Sequence, residues 1–265
     1  ICITAFLLAG SLMLGGCGVK KEKEADSELP KIVIGMDYFE PYSYQASDGE
    51  YKGIDVELAK EAFRRLGYRP KFENIVWEDK DELLADGTVG CLWSSYSMNG
   101  REDKYQWAGP YLYSRQMVVV KNESEIQTLS DLKGKRIAVQ ATTKAEDLFL
   151  HNIKSDLPQM QQVNCFSTTN EIYAALRKSY VDAIAGHEAM LGSLVKEGKD
   201  AYRMLDESIY KSELGVAFKK GTHEEVAADL TETLKKLQRE GITEKIVTKY
   251  GLDADEILPE GEQNE

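Results

Sequence analysis

The sequence lacks the short motifs that mark the common enzyme classes. Its 265 residues contain no GxGxxG, GxxxxGKS/T, HExxH or GxSxG pattern, so the signatures of dinucleotide, P-loop, zincin and serine-hydrolase sites are missing. Histidine occurs only as His151, His187 and His223, which are too scattered to predict a metal site. These absences disfavour an enzyme, and we expect no cofactor and no metal.

Basic residues are scarce relative to acidic ones. Lys and Arg number 33 against 45 Asp and Glu, which gives a net charge of −12. Binding to nucleic acid requires a surplus of basic side chains to neutralise phosphates, so this balance argues against a nucleic-acid partner. Six of the acidic residues lie in 253–265 with no basic residue, so half of the net charge belongs to an acidic tail.

Cysteine is also scarce. Four cysteines in a chain of this length do not form the disulfide framework of a small secreted domain. Cys2 and Cys17 lie in the first residues, which leaves Cys91 and Cys165 in the body of the chain. A bridge between them is one alternative, but both lie in apolar, strand-like runs, which favours buried free thiols.

No uncharged apolar run reaches the length of about 20 residues that a membrane span requires. Residues 1–14 (ICITAFLLAGSLML) instead have the length of the apolar region of a secretory signal, which the sequence enters without an initiator Met. The following Leu14-Gly15-Gly16-Cys17 resembles the bacterial lipobox, in which the cysteine is lipidated after cleavage. We therefore expect a signal peptide over 1–16, a lipid anchor on Cys17, a polar tether over 17–30 and a place on the extracellular face of the cell membrane. The alternative is an ordinary signal peptide followed by a coincidental cysteine.

The body of the chain alternates strand-like and helix-like segments. Residues 32–36 form a short apolar run that predicts a strand, and apolar residues at steps of four predict a helix over 54–66 that ends at Gly67. Residues 89–93 predict a further buried strand. This order of elements is typical of an α/β fold in which helices cover a mostly parallel sheet.

The same order starts again in the second half of the chain. A strand is predicted over 116–121, and a return strand over 214–219. A long helix follows, with Thr222 and Glu225 as a predicted capping box and Gly241 at its end. Two successive α/β units joined by extended segments predict two lobes, with the second inserted into the first.

The segment 93–103 (WSSYSMNGRED) carries the most informative chemistry. It follows the predicted strand over 89–93, and open α/β sheets bind their ligands beyond the carboxyl ends of the strands. Arg101 offers a planar set of donors suited to a carboxylate, which neighbouring hydroxyls and loop amides can complete. A single arginine after a strand is usually a solvated surface residue. The hydroxyl-rich loop before Arg101 and WAGPY (107–111) after it favour a carboxylate site instead.

Six segments in order resemble the bacterial extracellular solute-binding proteins of the polar amino-acid type, family 3. They are IGMDYFEPYSY, GEYKGIDVELAKEA, the 93–103 segment with WAGPY, DLKGKRIAVQATT, VDAIAGHE and ELGVAF. The resemblance covers Lys31 to Leu252 and implies a type II periplasmic-binding-protein-like α/β fold. Each lobe would be a mostly parallel sheet flanked by helices, with two hinge strands between the lobes. The implied division is a first part of lobe 1 (31–117), lobe 2 (118–216), the return to lobe 1 (217–252) and the acidic tail (253–265).

The resemblance also implies a ligand-binding cleft. Arg101 corresponds to the arginine that holds the ligand carboxylate, and Asp37 to an acid that contacts a polar ligand side chain. The helix start after Thr143 would favour a carboxylate through its dipole and free amides. For Phe39 and Trp77, core packing is an equal alternative. The complete set of expected ligand-binding residues is Asp37, Phe39, Trp77, Trp93, Ser94, Ser95, Tyr96, Arg101, Thr142, Thr143, Lys144, His187 and Glu188.

The sequence departs from the family pattern at one position. Where the family usually has an aspartate for the ligand ammonium, five residues after Asp182, this chain has His187 followed by Glu188. Either Glu188 takes the role, or the amine is recognised in another way, or the ligand is not an ordinary α-amino acid. We expect His187 and Glu188 to line the site. The alternative for His187 is a helix-start residue without ligand contact.

The implied function is that of the substrate-binding component of an ABC importer. Such a protein, expected to be a monomer, closes on an amino acid or related small carboxylate and delivers it to a membrane permease. An enzyme similar to cyclohexadienyl dehydratases, on the same fold, is one alternative, with His187 or Glu188 as the proton donor. A lipoprotein that senses the same kind of ligand is another.

Overall fold

The computed structural model describes residues 29–151, 153–154, 156–198 and 200–259. The expected signal peptide, Cys17 and nearly all of the tether lie outside the described residues. The strands are β1 (Lys31–Met36), β2 (Tyr44–Gln45), β3 (Tyr51–Lys52), β4 (Arg69–Asn74), β5 (Cys91–Ser97), β6 (Tyr105–Lys121), β7 (Arg136–Gln140), β8 (Gln162–Phe166), β9 (Ala183–His187), β10 (Tyr202–Met204) and β11 (Tyr210–Lys219). The helices are α1 (Ile54–Arg65), α2 (Lys80–Ala85), α3 (Lys144–Phe149), α4 (Thr169–Arg177), α5 (Glu188–Glu197), α6 (Glu224–Arg239), α7 (Ile242–Lys249) and α8 (Ala254–Ile257), with 3₁₀ turns at Trp77–Asp79 and Leu129–Leu132.

Most of the strands belong to one nine-stranded sheet, in the order β4-β1-β5-β11-β6-β9-β7-β8, with β10 beside β6. β1 pairs in parallel with β4 and β5, and β7 pairs in parallel with β8 and β9. The antiparallel pair of β6 and β11 joins these two parallel groups. The predicted α/β fold, with a mostly parallel sheet and two connecting strands, is confirmed.

The first connecting strand, β6, is much longer than the strand predicted over 116–121. It starts at Tyr105 and includes all of WAGPY, and its register with β11 shifts next to Gly215. Gly109 lies at this irregularity with a φ of +117°, and a Cβ there would lie 3.3 Å from the Cα of Gly215. Glycine suits this position because other residues rarely adopt such a φ.

The helix predicted over 54–66 is confirmed as α1. Its residues Ile54, Leu58 and Ala62 are fully buried against the sheet, as the spacing of four predicts. Gly67 follows the helix with a φ of +75°. The N-terminal turn also buries Asp55, an acid that the apolar pattern does not explain.

The capping box predicted at the start of α6 is wrong. The helix begins at Glu224, and its N-cap is His223 in a left-handed conformation. The hydroxyl of Thr222 donates to the carbonyl of Lys219 at 2.7 Å instead of capping the helix. The turn that precedes the helix therefore uses the hydroxyl that the sequence pattern assigns to the cap.

The two cysteines of the body are both free, so the alternative of a bridge is excluded. Cys91 is fully buried in β5, as predicted. The prediction of burial is wrong for Cys165, which is exposed because its strand, β8, lies at the edge of the sheet.

The acidic tail expected over 253–265 is partly structured. Its described part contains α8, whose start is capped by Asp253, since that side chain accepts the N–H of Asp255 at 3.0 Å. Ile257 and Leu258 pack against the hydrophobic core. In the portion of the chain that the structure describes, no helix is long and apolar enough to cross a bilayer.

Candidate functional site

A cleft of about 320 Å³ lies at the carboxyl ends of strands from both parallel groups of the sheet. This is the edge at which open α/β sheets bind ligands. The lining residues form two walls. The first wall is Asp37, Phe39, Trp77 and the segment 94–97, and the second wall is Gln140, Thr143, Lys144 and His187.

The serines of the first wall are held by groups from their own half of the sheet. The Ser94 hydroxyl accepts the N–H of Asp37 at 3.2 Å and lies 2.9 Å from the hydroxyl of Ser43. The N–H of Ser95 donates to Asp55 at 2.6 Å. Both serines are more than nine-tenths buried. The cleft floor formed by this segment is therefore fixed from behind.

The aromatic residues of the first wall continue into a larger cluster. Trp77 meets Tyr96 edge to face, with ring centroids 5.1 Å apart, and the hydroxyl of Tyr96 lies 2.9 Å from that of Tyr105. Lys80 Nζ lies 5.5 Å from the Trp77 ring, and burial lowers its pKa to about 8. The hydroxyl of Tyr96 is hydrogen-bonded to Tyr105, so it is mainly the ring of Tyr96 that is available to a ligand in the cleft.

Asp37 brings the only carboxylate among the lining residues of the cleft in the described structure. Burial raises its pKa, although a hydrogen bond from Gln140 and one from the N–H of Tyr38 partly oppose that rise. The Gln140 amide nitrogen donates both to Asp37 and to the carbonyl of Ser167 at 3.1 Å. Both partners are acceptors, which fixes the orientation of the amide.

The remaining Gln140 atom, Oε1, is buried and has no hydrogen-bond partner among the described residues. Sequence reasoning missed this residue. The signal for it is its place as the last residue of β7, at the same edge as the predicted Thr142 and Thr143. A second cavity of about 220 Å³ opens beyond Gln140 and His187, and the apolar side chains of Ile172 and Met190 line it.

The second wall contributes a buried ammonium. Lys144 Nζ donates to the carbonyl of Asn99 at 2.6 Å and lies 3.4 Å from Asp147. Burial and the charge of Arg101 lower the pKa of Lys144. Thr143 also lines the cleft, while its hydroxyl donates to the carbonyl of Gln140 at 2.7 Å.

Arg101 lies behind the cleft instead of lining it. Its guanidinium sits over the ring of Tyr96, 5.2 Å from the centroid, and donates to Asp147 at 2.6 Å and to the carbonyl of Ser97 at 3.1 Å. Asp147 belongs to α3, so this ion pair joins the loop after β5 to a helix on the other side of the cleft. The carboxylate of Asp147 thus accepts a hydrogen bond that the guanidinium of Arg101 was expected to donate to the ligand.

His187 lines the cleft as a neutral base. Burial, followed by the charge of Arg101, lowers its pKa to about 3. Its Nδ1 lies 2.9 Å from the Ser114 hydroxyl, and the amide nitrogen of Gln116 lies 3.2 Å from the ring nitrogens. The imidazole and the ring of Phe39 meet in a T-shaped arrangement, with centroids 5.6 Å apart.

The other residue of that pair, Glu188, does not line the cleft. Its carboxylate pairs with Arg115 through two contacts of 2.5 and 2.7 Å, and Glu256 lies 3.4 Å from the same guanidinium. The expectation that Glu188 lines the site is therefore wrong. Because it follows His187 at the start of α5, its side chain points to the opposite side of the second wall.

Two further expected residues do not line the cleft. Trp93 is 1% exposed and packs in the core against Phe63 and Tyr111, with ring centroids 6.0 and 5.5 Å apart, because side chains alternate between the two faces of β5. Thr142 has a φ of +58°, and its N–H donates to Glu146. The expected residues that do meet at the cleft are Asp37, Phe39, Trp77, Ser94, Ser95, Tyr96, Thr143, Lys144 and His187.

No group of His, Cys, Asp and Glu among the described residues could hold a metal ion. The chemistry of the cleft is that of recognition by one carboxylate, one ammonium, hydroxyls and aromatic rings. The serine hydroxyl that contacts His187 is that of Ser114, which does not line the cleft.

The chain is similar to a known protein family and to characterised proteins. The family model for bacterial extracellular solute-binding proteins, family 3, matches residues 32–253. The L-cystine-binding protein TcyJ of Escherichia coli (strain K12) is 26% identical over 227 residues, which are 84% of this chain and 83% of that protein.

Solved structures resemble the chain over a similar extent. The substrate-binding protein of an amino acid ABC transporter is 26% identical with a TM-score of 0.74, over 83% of this chain and 98% of that one. The ancestral amino acid-binding protein AncCDT-1, a precursor of cyclohexadienyl dehydratase, shares the fold at 23% identity and a TM-score of 0.73, over 88% and 98% of the two chains. Because the family model spans nearly all of the described residues, the chain belongs to the bacterial extracellular solute-binding proteins of family 3.

Proposed function

We propose that the protein is the substrate-binding component of an ABC importer and captures an amino acid or a related small carboxylate. The observation that carries the proposal is the cleft itself, which joins the carboxyl ends of strands from both parallel groups and holds one partly buried acid and one buried ammonium. A zwitterion presents the matching pair of charges. The similarity to the substrate-binding protein of an amino acid ABC transporter supports the same function.

The ligand ammonium is assigned to Asp37. The family aspartate is replaced by His187, which is neutral, and Glu188 is paired with Arg115 outside the cleft. Asp37 is the remaining carboxylate, and it can exchange its hydrogen bond with Gln140 for one with an ammonium. Neutral acceptors on Gln140 and His187 would complete the coordination.

The ligand carboxylate is assigned to the part of the cleft between Lys144 of the second wall and the segment 94–97 of the first wall. Lys144 supplies a buried positive charge there, and the segment 94–97 places three serines in the lining. Arg101 acts mainly by pairing with Asp147 across the cleft, so it stabilises the closed arrangement and adds positive potential to the site.

Closure is proposed as a hinge movement on β6 and β11. The lobes are residues 31–117 with 217–252 on one side and 118–216 on the other. Ligand favours the closed state only through contacts that the open state lacks. The second wall provides these contacts, because its residues reach the cleft from the inserted lobe.

The surroundings of the protein follow from the same proposal. Lipidation of Cys17 would anchor a monomer to the extracellular face of the membrane, where the closed form meets a permease. Several acyl chains on one cysteine give a stable anchor where one chain gives a marginal one. A sensing lipoprotein would share these properties and would differ in lacking an associated permease and ATPase.

The enzyme alternative loses its proposed proton donors. His187 is not protonated to the imidazolium near neutral pH, since burial lowers its pKa to about 3, and Glu188 does not line the cleft. Dehydration of a cyclic acid requires a donor within reach of the leaving hydroxyl. Asp37 is the only acid available in the described lining, and it is bonded to Gln140.

A thermal-shift screen followed by calorimetry tests the proposal. The panel contains the standard amino acids, L-cystine, prephenate and arogenate, because ligand binding to the folded state raises the melting temperature. We expect at least one amino acid or L-cystine to bind with one-to-one stoichiometry. Absence of binding by every amino acid, or turnover of prephenate or arogenate, would overturn the assignment.

A further inference from the structure

Ser95 has a backbone conformation that its side chain does not favour. Its φ is +43°, in the left-handed region that suits glycine. The residue belongs to the first wall and is 3% exposed. A buried serine in this region persists only where its surroundings hold it there. The cleft therefore depends on whatever fixes this peptide.

The group that holds Ser95 is the carboxylate of Asp55 in the first turn of α1. One carboxylate oxygen accepts the N–H of Ser95 at 2.6 Å, and the other accepts the hydroxyl of Tyr111 at 2.7 Å. Asp55 is 1% exposed. Neither it nor Tyr111 lines the cleft, so the pair acts from behind the wall.

We propose that Asp55 is a positioning residue for ligand binding, which holds the 94–97 segment in the shape that presents its serines to the cleft. This role rests on the proposed function for its significance, because the segment matters to binding only if the cleft binds a ligand. The hydrogen bond to a charged acceptor is of the strong class. This hydrogen bond offsets the energetic cost of the left-handed conformation of Ser95. Without it, we expect Ser95 to adopt a negative φ.

The presence of an acid in this position is costly, which argues for a specific role. Burial of a carboxylate without a cation is unfavourable, and burial raises the pKa of Asp55 to about 7. An apolar residue would suit this face of α1, whose other buried members include Ile54 and Leu58. The site retains the acid because two donors from separate strands converge on it.

The carboxylate of Asp55 joins three separate segments that carry the resemblance to the family. Asp55 comes from GIDVELA, Ser95 from the segment after β5, and Tyr111 from WAGPY. Gly53 allows the approach, since a Cβ there would lie 2.2 Å from the carbonyl oxygen of Tyr42. That same oxygen accepts the N–H of Asp55 at 2.9 Å.

Three substitutions separate positioning from general stability. Asp55→Ala removes both hydrogen bonds. Asp55→Asn keeps them, because the amide oxygen can accept from Ser95 and the amide nitrogen can donate to the hydroxyl of Tyr111. Tyr111→Phe removes only the bond that does not involve the cleft segment.

The first readout is the backbone amide of Ser95 in ligand-free protein, followed by NMR. We expect slow hydrogen exchange and a downfield amide proton in the wild type, in Asp55→Asn and in Tyr111→Phe, and an upfield, fast-exchanging proton in Asp55→Ala. Fast exchange of the Ser95 amide in the wild type would overturn the proposal even if Asp55→Ala does not fold. This readout needs no amino acid, so its failure is distinguishable from failure of the proposed function.

The second readout is the affinity for L-cystine, measured by calorimetry beside urea unfolding. We expect Asp55→Ala to bind at least about tenfold more weakly, in line with loss of a hydrogen bond to a charged group. Tyr111→Phe, which removes one of the two hydrogen bonds, should also lose stability but little affinity. Adding Ser95→Gly to Asp55→Ala should recover part of the affinity, because glycine adopts positive φ without strain. Equal losses of affinity in Tyr111→Phe and Asp55→Ala would refute positioning.

Discussion

The two walls of the cleft are built in different ways. In the first wall, polar groups are held by neighbours from the same half of the sheet, such as Ser43 and Asp55. In the second wall, two polar side chains reach across the cleft: Gln140 contacts Asp37, and Lys144 contacts the carbonyl of Asn99. The first wall therefore has its shape before the second wall closes against it.

This difference indicates an order of events. A wall with its own supporting hydrogen bonds can bind a ligand while the cleft is open, whereas Gln140 and Lys144 make their bonds to Asp37 and Asn99 only when the cleft is closed. Contacts made only in the closed state are the ones that shift the equilibrium toward it. Substitutions in the two walls should therefore alter different properties, and the following predictions test that contrast.

The largest effect is expected from Arg101→Ala. It removes the ion pair with Asp147 and a positive charge beside the cleft, and loss of one partner of a mostly buried pair costs roughly 2–5 kcal/mol. Calorimetry with the tightest-binding amino acid of the screen should show this loss. Arg115→Ala is the matched control, because it breaks an ion pair outside the cleft. Undiminished binding in Arg101→Ala would contradict a role in closure.

A smaller loss is expected from Asp37→Asn. The substitution keeps the shape of the side chain but removes the charge assigned to the ligand ammonium, and a hydrogen bond to a charged group contributes about 1.5–3 kcal/mol. Affinity should fall by this amount in calorimetry, with little change in stability. Asp48→Asn, at an exposed acid, is the control. If affinity is retained, the ammonium binds elsewhere.

The second wall should also carry a pH-dependent part of the stability. The folded-state pKa of His187 is about 3 against 6.5 for the free side chain, so the unfolded chain gains a proton first as the pH falls. The contribution of His187 is complete above pH 6.5 and decreases toward pH 3. His187→Gln should therefore lose less stability than the wild type between pH 7.5 and pH 4.5, by up to about 2 kcal/mol in urea unfolding. An unchanged pH profile would contradict a neutral, buried imidazole, and exposed His151→Gln is the control.

The smallest effect is expected from Glu188→Gln. Because this carboxylate pairs with Arg115 on the other side of the second wall, its charge does not contact the ligand. Affinity should change by less than about twofold, well under 1 kcal/mol. A loss of affinity of tenfold or more would show that Glu188 contributes to ligand binding. It would also remove the reason for assigning the ligand ammonium to Asp37.

Much of the fold could be predicted from the sequence. Apolar patterns located β1 and α1 to within a residue or two, because β1 is a short apolar run buried on both faces and α1 buries one continuous face. The start of β6 was not predictable in the same way. Its residues 105–115 mix polar and aromatic side chains with Gly109, and their pairing with β11 is a long-range contact that local patterns do not contain.

The site was predictable in its membership but less so in its contacts. Motif position located most residues of both walls, yet it placed Trp93 in the cleft because strand alternation beside a bend is hard to phase. Motif position also could not show that Arg101 forms an ion pair with Asp147, since the two residues are 46 positions apart and meet only in the folded chain. The roles of Gln140 and Asp55 depend on hydrogen bonds that have no local signature.

The unpaired oxygen of Gln140 has a consequence for selectivity. A buried acceptor that receives no hydrogen bond loses its water without compensation, so a ligand that brings no donor to this atom is penalised, however well it fills the space. The cleft would then reject close analogues by what they fail to supply, as sites built around hydrogen bonds do. Pairs of ligands that differ by a single N–H or O–H, compared by calorimetry, would measure this penalty directly, and equal affinities would show that the atom is not used.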